Sequence, residues 1–401
     1  MLPVWEQEGI GLIQNPRKLR GGEAWLSREA SVPVRRFHES MEGYAPTPLC
    51  SLSALAEKLG VRAFCVKDES RRFSLKAFKG LGGSYALFRV VCRELGLDPE
   101  SSTMATLKQG QYREKLSSMV FITATDGNHG KGVAWAAGLL GCKAHVYMPK
   151  GSVEVRAQAI RDAGQATVTI TELGYDDTVR MARDIAEKNG WHLVQDTSWP
   201  GYETVPRFIV QAYTTMAYEA LEQLRVLGHE APTHVFLQAG VGAMAGCVLG
   251  CLRCSFPGEG PVVSIVEPAE CACVFESARQ NDGQPHPAQG SEQTIMAGLN
   301  CAEVCPLVWP LLRDQADFYF SCPDGVTAHG MRTLAKPMGA DPAVISGESG
   351  AVTTGLAALL LGREELGEMK RELGLDENSV ILVFSTEGDT DPEGYRQVVE
   401  P

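Results

Sequence analysis

KDESRRFSLKAFKGLGGSY, residues 67–85, begins at the end of an apolar strand-like run and continues into a segment with helical character. The charged residues after Lys67 predict a loop, and a helix is predicted to begin near Ala77. Lys79 would then lie in the first turn of that helix, where the positive end of the helix dipole favours a neutral amine. A neutral amine is the form that condenses with an aldehyde, so Lys79 is a candidate nucleophile. Lys76 is the rival on the same segment, and a solvated surface lysine is the alternative interpretation.

Short apolar runs alternate with helix-like stretches along most of the chain from about residue 62 onwards. The runs are rich in Val, Ile and Phe, which favours β-strands. Their alternation with helices predicts an α/β fold in which a parallel sheet has helices on both faces. Gly141 and Gly164 are predicted to end helices as C-cap residues, and 281–290 is predicted to be a surface loop. The predicted strands are 63–67, 120–123, 144–148, 167–170, 192–195, 234–238, 262–266 and 380–384, and the predicted helices are 77–94, 131–140, 153–163, 178–189, 204–227 and 243–252.

The bulk composition describes a globular chain and excludes some partners. The chain has 401 residues, 44% of them hydrophobic, which suits two domains or one large α/β unit with an inserted subdomain. A net charge of −12 argues against nonspecific nucleic-acid binding. No apolar run reaches the ~18 residues of a membrane span, and the first residues lack a signal-peptide pattern. We therefore expect a cytoplasmic protein that binds no membrane, with the first ~45 residues wrapped around the body because they lack a clear period.

Twelve cysteines are scattered along the chain. The spacing Cys251-x-x-Cys254 and the later pairs invite a zinc interpretation, but structural zinc sites carry polar, turn-forming residues between their ligands. Here the intervening residues include Leu252 and Val304. We therefore expect no metal site and expect most cysteines to be reduced, buried apolar groups.

Residues 123–132, TATDGNHGKG, follow an apolar strand and open a helix. Glycines at such a turn allow backbone N–H groups to converge on an anion. An ordinary strand-to-helix turn capped by Asp126 or Asn128 is the alternative interpretation.

A second glycine-rich turn, residues 240–246, joins the predicted strand 234–238 to the next helix. Its small residues would let the chain wrap a phosphate at the helix N-terminus. A Rossmann-type NAD-binding loop is the rival interpretation, because Gly240, Gly242 and Ala245 nearly match that fingerprint and Glu267 ends the next strand. This rival leaves Lys79 and the Asn128 loop without a role.

Two acidic segments follow other strands. Asp196 is a candidate acid in a cleft, with a helix N-cap as its alternative role. Ser385 to Asp391 follow the last strand, and for Asp389 and Asp391 we favour a solvated acidic loop.

Ala77-Phe78-Lys79 resembles the lysine motif of the fold-type II pyridoxal-phosphate (PLP) enzymes, such as threonine and serine dehydratases, tryptophan synthase β chain and cysteine synthase. The resemblance implies two parallel or mostly parallel open sheets flanked by helices, with the active site in an interdomain cleft. It implies a Schiff base between Lys79 and PLP, and selects Lys79 over Lys76. The resemblance further implies that Asn128 binds the 3′ oxygen of PLP and that Thr386, with Ser385 as the second choice, contacts the pyridine nitrogen. It implies that the PLP phosphate is bound by Gly240, Val241, Gly242, Ala243 and Met244. It also implies that the substrate is bound by Thr125, Asp126, Gly127 and His129.

Thr-Asp-Gly-Asn-His-Gly at 125–130, together with the segments around Asp196, 346–350 and 385–391, is similar to the diaminopropionate ammonia-lyases. That family resemblance extends from about Tyr44 to about Tyr395. It implies elimination from D- and L-2,3-diaminopropionate to pyruvate and two ammonia, in amino acid catabolism. Lys79 would be the base for the L isomer and Asp126 the base for the D isomer, because their α protons lie on opposite faces of a planar cofactor. Asp196 would attract the second ammonium group of the substrate.

A threonine or serine dehydratase of the same fold is the nearest rival. The dehydratases have a small neutral residue where this chain has Asp126, and a carboxylate there can act as a general base or attract a second ammonium group. The fold analogy also implies a large PLP-binding domain formed by 1–88 and 198–401, a small inserted domain of 89–197 carrying the Asn128 loop, and a homodimer.

Overall fold

The chain folds into two sheets, and the computed structural model describes residues 9–17, 19–125 and 127–400. The larger sheet has seven strands in the order β1-β10-β9-β8-β11-β3-β2, and the smaller has four in the order β6-β5-β4-β7. The strands are β1 (Gly11–Gln14), β2 (Leu49–Ser51), β3 (Ala63–Asp68), β4 (Val120–Ala124), β5 (Lys143–Met148), β6 (Thr167–Ile170), β7 (His192–Leu193), β8 (His234–Gln238), β9 (Val262–Pro268), β10 (Phe318–Cys322) and β11 (Val380–Ser385).

Helices connect these strands and pack against the sheets. Those before the glycine-rich turn are α1 (Arg28–Glu39), α2 (Ser53–Leu59), α3 (Lys79–Leu95), α4 (Met104–Leu107), α5 (Arg113–Ser118), α6 (Asn128–Leu140), α7 (Glu154–Gly164), α8 (Tyr175–Asn189), α9 (Thr204–Ala212) and α10 (Thr214–Val226). The helices that follow this turn are α11 (Ala243–Ser255), α12 (Cys273–Gln280), α13 (Trp309–Gln315), α14 (Asp324–Ala335), α15 (Glu348–Gly362), α16 (Gly367–Leu373) and α17 (Pro392–Val399).

The central strands of the large sheet are apolar on both faces. Every residue of β3, β8 and β11 is buried, as expected for parallel strands covered by helices on both sides. These strands run parallel, whereas the edge strands β1 and β2 pair antiparallel with their neighbours. The carboxyl ends of β3, β8 and β11 therefore meet at one edge of the sheet, which is where open α/β sheets bind their ligands.

The smaller sheet is entirely parallel and extends in sequence from Val120 to Leu193. It falls inside the range 89–197 expected for an inserted domain, and the exact limits of the two domains stay a prediction. The α/β architecture expected from the alternation of strands and helices is confirmed.

Most predicted strands and helices form, and the differences concern where they end. The strand predicted at 192–195 ends at Leu193, and the helix predicted at 204–227 is interrupted at Tyr213. Gly164 is not a C-cap: it lies inside α7, and Gln165 takes the left-handed conformation that ends the helix. A Cβ at Gly164 would lie 1.8 Å from the Ala134 carbonyl oxygen, so glycine is needed there for close packing of α6 and α7.

The N-terminal segment has more regular secondary structure than its sequence predicted. Residues 11–14 form an edge strand on β10, and Arg28–Glu39 form a helix that packs on α10 and α9. Strand β10 itself was not predicted, although it is apolar and buried at all positions except Ser321. The prediction of a loop at 281–290 is confirmed.

All twelve cysteines carry free thiols, and all except Cys50 and Cys254 are buried. Among residues 9–17, 19–125 and 127–400, no three His, Cys, Asp or Glu side chains are grouped as metal ligands. No helix in the described part of the chain is both long and apolar enough to cross a membrane.

A fully buried ion cluster anchors the loop that leads to Lys79. The Lys67 ammonium lies 2.7 Å from a carboxylate oxygen of Glu219, and the Arg72 guanidinium bridges Glu219 and Glu69. Burial alone would raise the pKa of Glu219, but Arg72 and Lys67 lower it from the ordinary 4.5 to about 2. The cluster balances two cations with two anions, so removing one partner leaves an uncompensated buried charge.

The substitution Glu219→Gln is therefore expected to lower the free energy of unfolding by about 3–5 kcal/mol at pH 7. Because the pKa of Glu219 is lower in the folded chain than in the unfolded one, its contribution is present at neutral pH and is lost as the pH falls from 4.5 toward 2. Urea unfolding followed by circular dichroism measures the effect. Glu222→Gln on the same helix is the control, because Glu222 pairs with Arg28 and Arg35 near the surface and its loss should cost at most about 1 kcal/mol. Equal losses for the two variants would contradict the assignment.

Candidate active site

A cleft lies where loops from both sheets face each other. The loops that line it follow the carboxyl ends of β3, β4, β7, β8 and β11. The predicted site residues that line it are Lys79, Thr125, Asn128, His129, Asp196, Gly240, Val241, Gly242, Ala243, Met244 and Thr386. Gly127 is not among the lining residues, and Asp126 lies outside the described residues.

Lys79 lies in the first turn of α3, as predicted, although the helix begins at Lys79 itself and not near Ala77, and its side chain is mostly buried. Its Nζ lies 2.5 Å from Oδ2 of Asp196, which belongs to the loop after β7. Burial would raise the pKa of Asp196, but the Lys79 ammonium opposes this and lowers it to about 2. Asp196 is therefore an anion in the cleft and not a helix cap.

The backbone before Lys79 is held in an unusual conformation. Phe73, Ser74 and Lys76 all have positive φ angles, of 48°, 59° and 58°. Non-glycine residues rarely adopt this region, and such strain concentrates at functional sites. Lys76 itself points out of the cleft and pairs with Asp389, 2.7 Å away, so the cleft contains Lys79 and not its rival.

His129 is buried beside this ion pair. Its Nε2 lies 2.8 Å from the Val194 carbonyl oxygen, which can only accept, so Nε2 carries the proton. Burial lowers the pKa of the ring, which keeps it neutral near pH 7. The unprotonated Nδ1 then faces Oδ2 of Asp196 at 3.9 Å and has no hydrogen-bond partner among the described residues.

The asparagine loop is organised by the Thr125 hydroxyl, which accepts hydrogen bonds from the N–H groups of Gly127 and Gly130. The Gly127 N–H therefore donates to Thr125 and is not directed into the cleft. Asn128 and His129 begin α6, and first-turn N–H groups have no acceptor within their own helix. The N–H groups of Asn128 and His129 are therefore available to a carboxylate. The Asn128 amide Nδ2 donates to Oε2 of Glu387.

The glycine-rich turn runs from β8 into α11. Gly242 has a φ of 87°, a conformation that favours glycine, and immediately precedes the helix. Ala243 and Met244 are the first two residues of α11 and line the cleft, so first-turn N–H groups without an intrahelical acceptor and the positive end of the helix dipole lie there. This donor set suits a phosphate group.

Thr386 directly follows β11 and lines the cleft. Its Oγ1 accepts a hydrogen bond of 3.0 Å from Gln238 Nε2, which leaves its own O–H free to donate. A hydroxyl oriented in this way suits an unprotonated ring nitrogen. Ser385, the second choice, does not line the cleft. Asp391 caps α17 and Asp389 pairs with Lys76, and neither acid lines the cleft.

The Rossmann-type alternative is wrong, because its acidic residue is already used. Glu267 is completely buried, and its carboxylate accepts the N–H groups of Val274 and Phe275 at the start of α12. Burial raises the pKa of Glu267 to about 8. A buried carboxyl that caps a helix cannot bind the ribose of a dinucleotide.

Sequence reasoning missed several residues that line the cleft. They are Phe78, Tyr175, Gln238, Ala239, Gly298, Leu299, Cys301, Ser349 and Glu387. Ser349 and Glu387 belong to sequence segments that indicated the resemblance, whereas Gly298, Leu299 and Cys301 carry no local signal. Gln238 could have been found as the polar residue that ends an otherwise apolar strand.

The cleft's chemistry fits PLP. It combines an amine able to form an imine, an anion-binding helix N-terminus, a hydroxyl free to donate and an amide donor. Lys79, the 240–244 turn, Thr386 and Asn128 supply these four features respectively.

Comparisons with known proteins agree with this chemistry. A family model described as pyridoxal-phosphate dependent enzyme matches residues 41–384. The diaminopropionate ammonia-lyase of Salmonella typhimurium is 47% identical over 375 residues, 93% of each chain. That of Escherichia coli K12 is 48% identical over 374 residues, 93% of this chain and 92% of its own.

Solved structures give the same result. The crystal structure of the Escherichia coli enzyme in complex with an aminoacrylate-PLP azomethine reaction intermediate matches with a TM-score of 0.90 and 44% identity, covering 98% of this chain and 97% of that one. A threonine deaminase from Solanum lycopersicum matches with a TM-score of 0.71 at 21% identity, which shows a shared fold alone. The chain therefore belongs to the pyridoxal-phosphate dependent enzymes and, within them, to the diaminopropionate ammonia-lyase family.

Proposed function

We propose that this protein catalyses α,β-elimination of D- and L-2,3-diaminopropionate, giving pyruvate and two molecules of ammonia. The observation that carries the proposal is the cleft in which Lys79, Asp196, Asn128, the glycine-rich turn and Thr386 lie together. Relatives at 47% and 48% identity that are named diaminopropionate ammonia-lyase support the choice of substrate.

PLP, when bound, supplies an electron sink for the electron pair left at the α carbon after proton removal. Lys79 would hold it through Nζ, the 240–244 turn would hold its phosphate, and Asn128 and Thr386 would bind its ring substituents. The N–H groups at the start of α6 would hold the substrate carboxylate.

Two residues would move the α proton. Lys79 Nζ would take it from the L isomer, and the Asp126 carboxylate would take it from the D isomer. The two isomers present this proton on opposite faces of a planar cofactor, so one base could not serve both.

Asp196 would distinguish a diamino acid from serine or threonine. It is a buried anion whose Oδ2 lies 2.5 Å from Lys79 Nζ, so it is close to the reacting groups. Such an anion attracts the β-ammonium of the substrate, which leaves as ammonia. The remaining aminoacrylate reacts with water to give pyruvate and the second ammonia.

The test is pyruvate release from both isomers of 2,3-diaminopropionate, with D-serine, L-serine and L-threonine assayed beside them. We expect turnover of both diaminopropionate isomers to exceed that of the three hydroxy amino acids. Turnover confined to L-serine or L-threonine would instead establish a dehydratase of the same fold, and would contradict the roles of Asp126 and Asp196. Four threonine dehydratases match at 26–29% identity over 38–60% of this chain.

We also propose a cytoplasmic homodimer, on the basis of the family resemblance and of twelve cysteines that are all free thiols. Light scattering of the purified protein should give twice the chain mass of 43.3 kDa. A mass equal to that of one chain would contradict the dimer.

A further inference from the structure

Glu387 is a buried acid in the cleft that the proposed mechanism does not use. It follows Thr386, is 2% exposed, and has a partner on each carboxylate oxygen. Its Oε1 accepts the Ser349 N–H at 2.9 Å, and its Oε2 accepts the Asn128 amide. Ser349 lies in the first turn of α15, so its N–H has no acceptor within that helix.

The carboxylate determines which way the Asn128 amide faces. A carboxylate only accepts hydrogen bonds, so Asn128 has to turn its NH₂ end, and not its carbonyl, toward Glu387. One N–H of that NH₂ group is used in this contact. The second N–H remains available as a donor to an anionic oxygen in the cleft. A neutral amide at position 387 would impose no such choice, because it can both donate and accept.

The backbone around Glu387 is held independently of its side chain. The Gly347 N–H donates to the Glu387 carbonyl at 2.9 Å, and the Phe78 N–H donates to the Thr386 carbonyl at 3.1 Å. The Gly388 N–H donates to the Lys76 carbonyl at 2.9 Å. These bonds join the loop to the segment that carries Lys79 and to the residues before α15, so replacing the carboxylate should leave the loop in place.

We infer that Glu387 is a positioning residue that acts through Asn128, orienting its amide so that an N–H donates to the anionic 3′ oxygen of bound PLP. This inference rests on the proposed function. It assigns to Glu387 a role in cofactor binding and in the electronic state of the ring, without contact with the reacting atoms.

Glu348 offers a matched control. It is a buried acid at the start of the same helix α15 and interacts with Glu387, but its nearest cation is Arg156, whose Nη2 lies 3.9 Å from its Oε2. Burial and the charge of Glu387 raise the pKa of Glu348 to about 7, so a glutamine there resembles the protonated acid. The amide of Asn128 donates to Glu387 and not to Glu348.

The experiment titrates PLP into the apoenzyme of the wild type and of Glu387→Gln, Glu348→Gln, Asn128→Ala and the double variant Glu387→Gln/Asn128→Ala. The readouts are the Kd for PLP, the ratio of the visible to the near-ultraviolet band of bound PLP, and the unfolding temperature of each apoenzyme. We expect Glu387→Gln to weaken PLP binding about tenfold and to change the band ratio, as for the loss of a charge-assisted hydrogen bond. Glu348→Gln should stay within about twofold of the wild type, since its pair is not part of that bond.

The double variant distinguishes action through Asn128 from a general structural effect. If Glu387 acts through Asn128, replacing it should have no further effect on the Kd or the band ratio once Asn128 is alanine. Additive effects, an equal change in Glu348→Gln, or a lower apoenzyme unfolding temperature with an unchanged band ratio would overturn the inference. Failure of the wild type to bind PLP would instead overturn the proposed function on which the inference rests.

Discussion

Replacing Lys79 by alanine is expected to lower kcat by on the order of 10⁴ and to abolish covalent retention of PLP. Lys79 Nζ is both the proposed attachment point and the proposed base for the L isomer, so no other group can supply both functions. Borohydride reduction followed by mass spectrometry of the digested protein should find PLP on the peptide that contains Lys79 in the wild type. In the variant, no peptide should carry it.

Lys76→Ala is the control for this experiment. Lys76 lies three residues earlier, but its ammonium pairs with Asp389 in an exposed position outside the cleft. Because alanine and lysine are equally restricted at its φ of 58°, the substitution should not change the backbone. We expect it to retain PLP on the Lys79 peptide and to keep kcat within about twofold of the wild type. Retention of PLP by Lys79→Ala, or its loss from Lys76→Ala, would show that the attachment point is wrongly assigned.

Asp126→Asn is expected to reduce turnover of D-2,3-diaminopropionate by about 10²–10⁴ while reducing turnover of the L isomer by less than about tenfold. The reason is the geometry of the substrates: the α proton of the D isomer lies on the face of the cofactor opposite that of the L isomer. Asparagine has nearly the size of aspartate but cannot accept the proton. The measurement is kcat/KM for pyruvate release from each isomer.

Asp389→Asn serves as the control for Asp126→Asn. Asp389 lies only three residues after Thr386 in the sequence, but its carboxylate pairs with Lys76 outside the cleft. Its replacement should change kcat/KM for both isomers by the same small factor. A loss of equal size on both isomers in Asp126→Asn would refute separate bases for the two isomers.

Local sequence features were sufficient for the elements and for the residues that begin them. Strands β8 and β11 have apolar centres and are buried on both faces, as expected for a sheet covered by helices on both sides, and their bounds were predicted to within one residue. Lys79 was correctly predicted in the first turn of α3, because the change from charged loop to helical pattern is visible in the adjacent residues. Gly164 was wrongly predicted to be a C-cap because a glycine is required there by the close approach of α6, and no residue near it in the sequence indicates that contact.

The contacts that define the cleft could not be predicted in this way. Asn128 and Glu387 are 259 residues apart in the chain, and Lys79 and Asp196 are 117 apart. Glu267 shows the difficulty, because its position at the end of a strand fits ribose binding and helix capping equally well. The structure decides in favour of capping, since the Val274 and Phe275 N–H groups reach the carboxylate.

The sequence by itself determined the class of fold, the lysine that begins α3 and the two turns able to bind anions. These follow from hydrophobic period, from glycine and from helix termini, all of which act over a few residues. The tertiary structure alone decided that Asp196 faces Lys79, that His129 is neutral and that the Asn128 amide donates to Glu387. Those relations depend on the order of strands in two sheets, which places the carboxyl ends of distant segments together, and burial there gives each charge its effect.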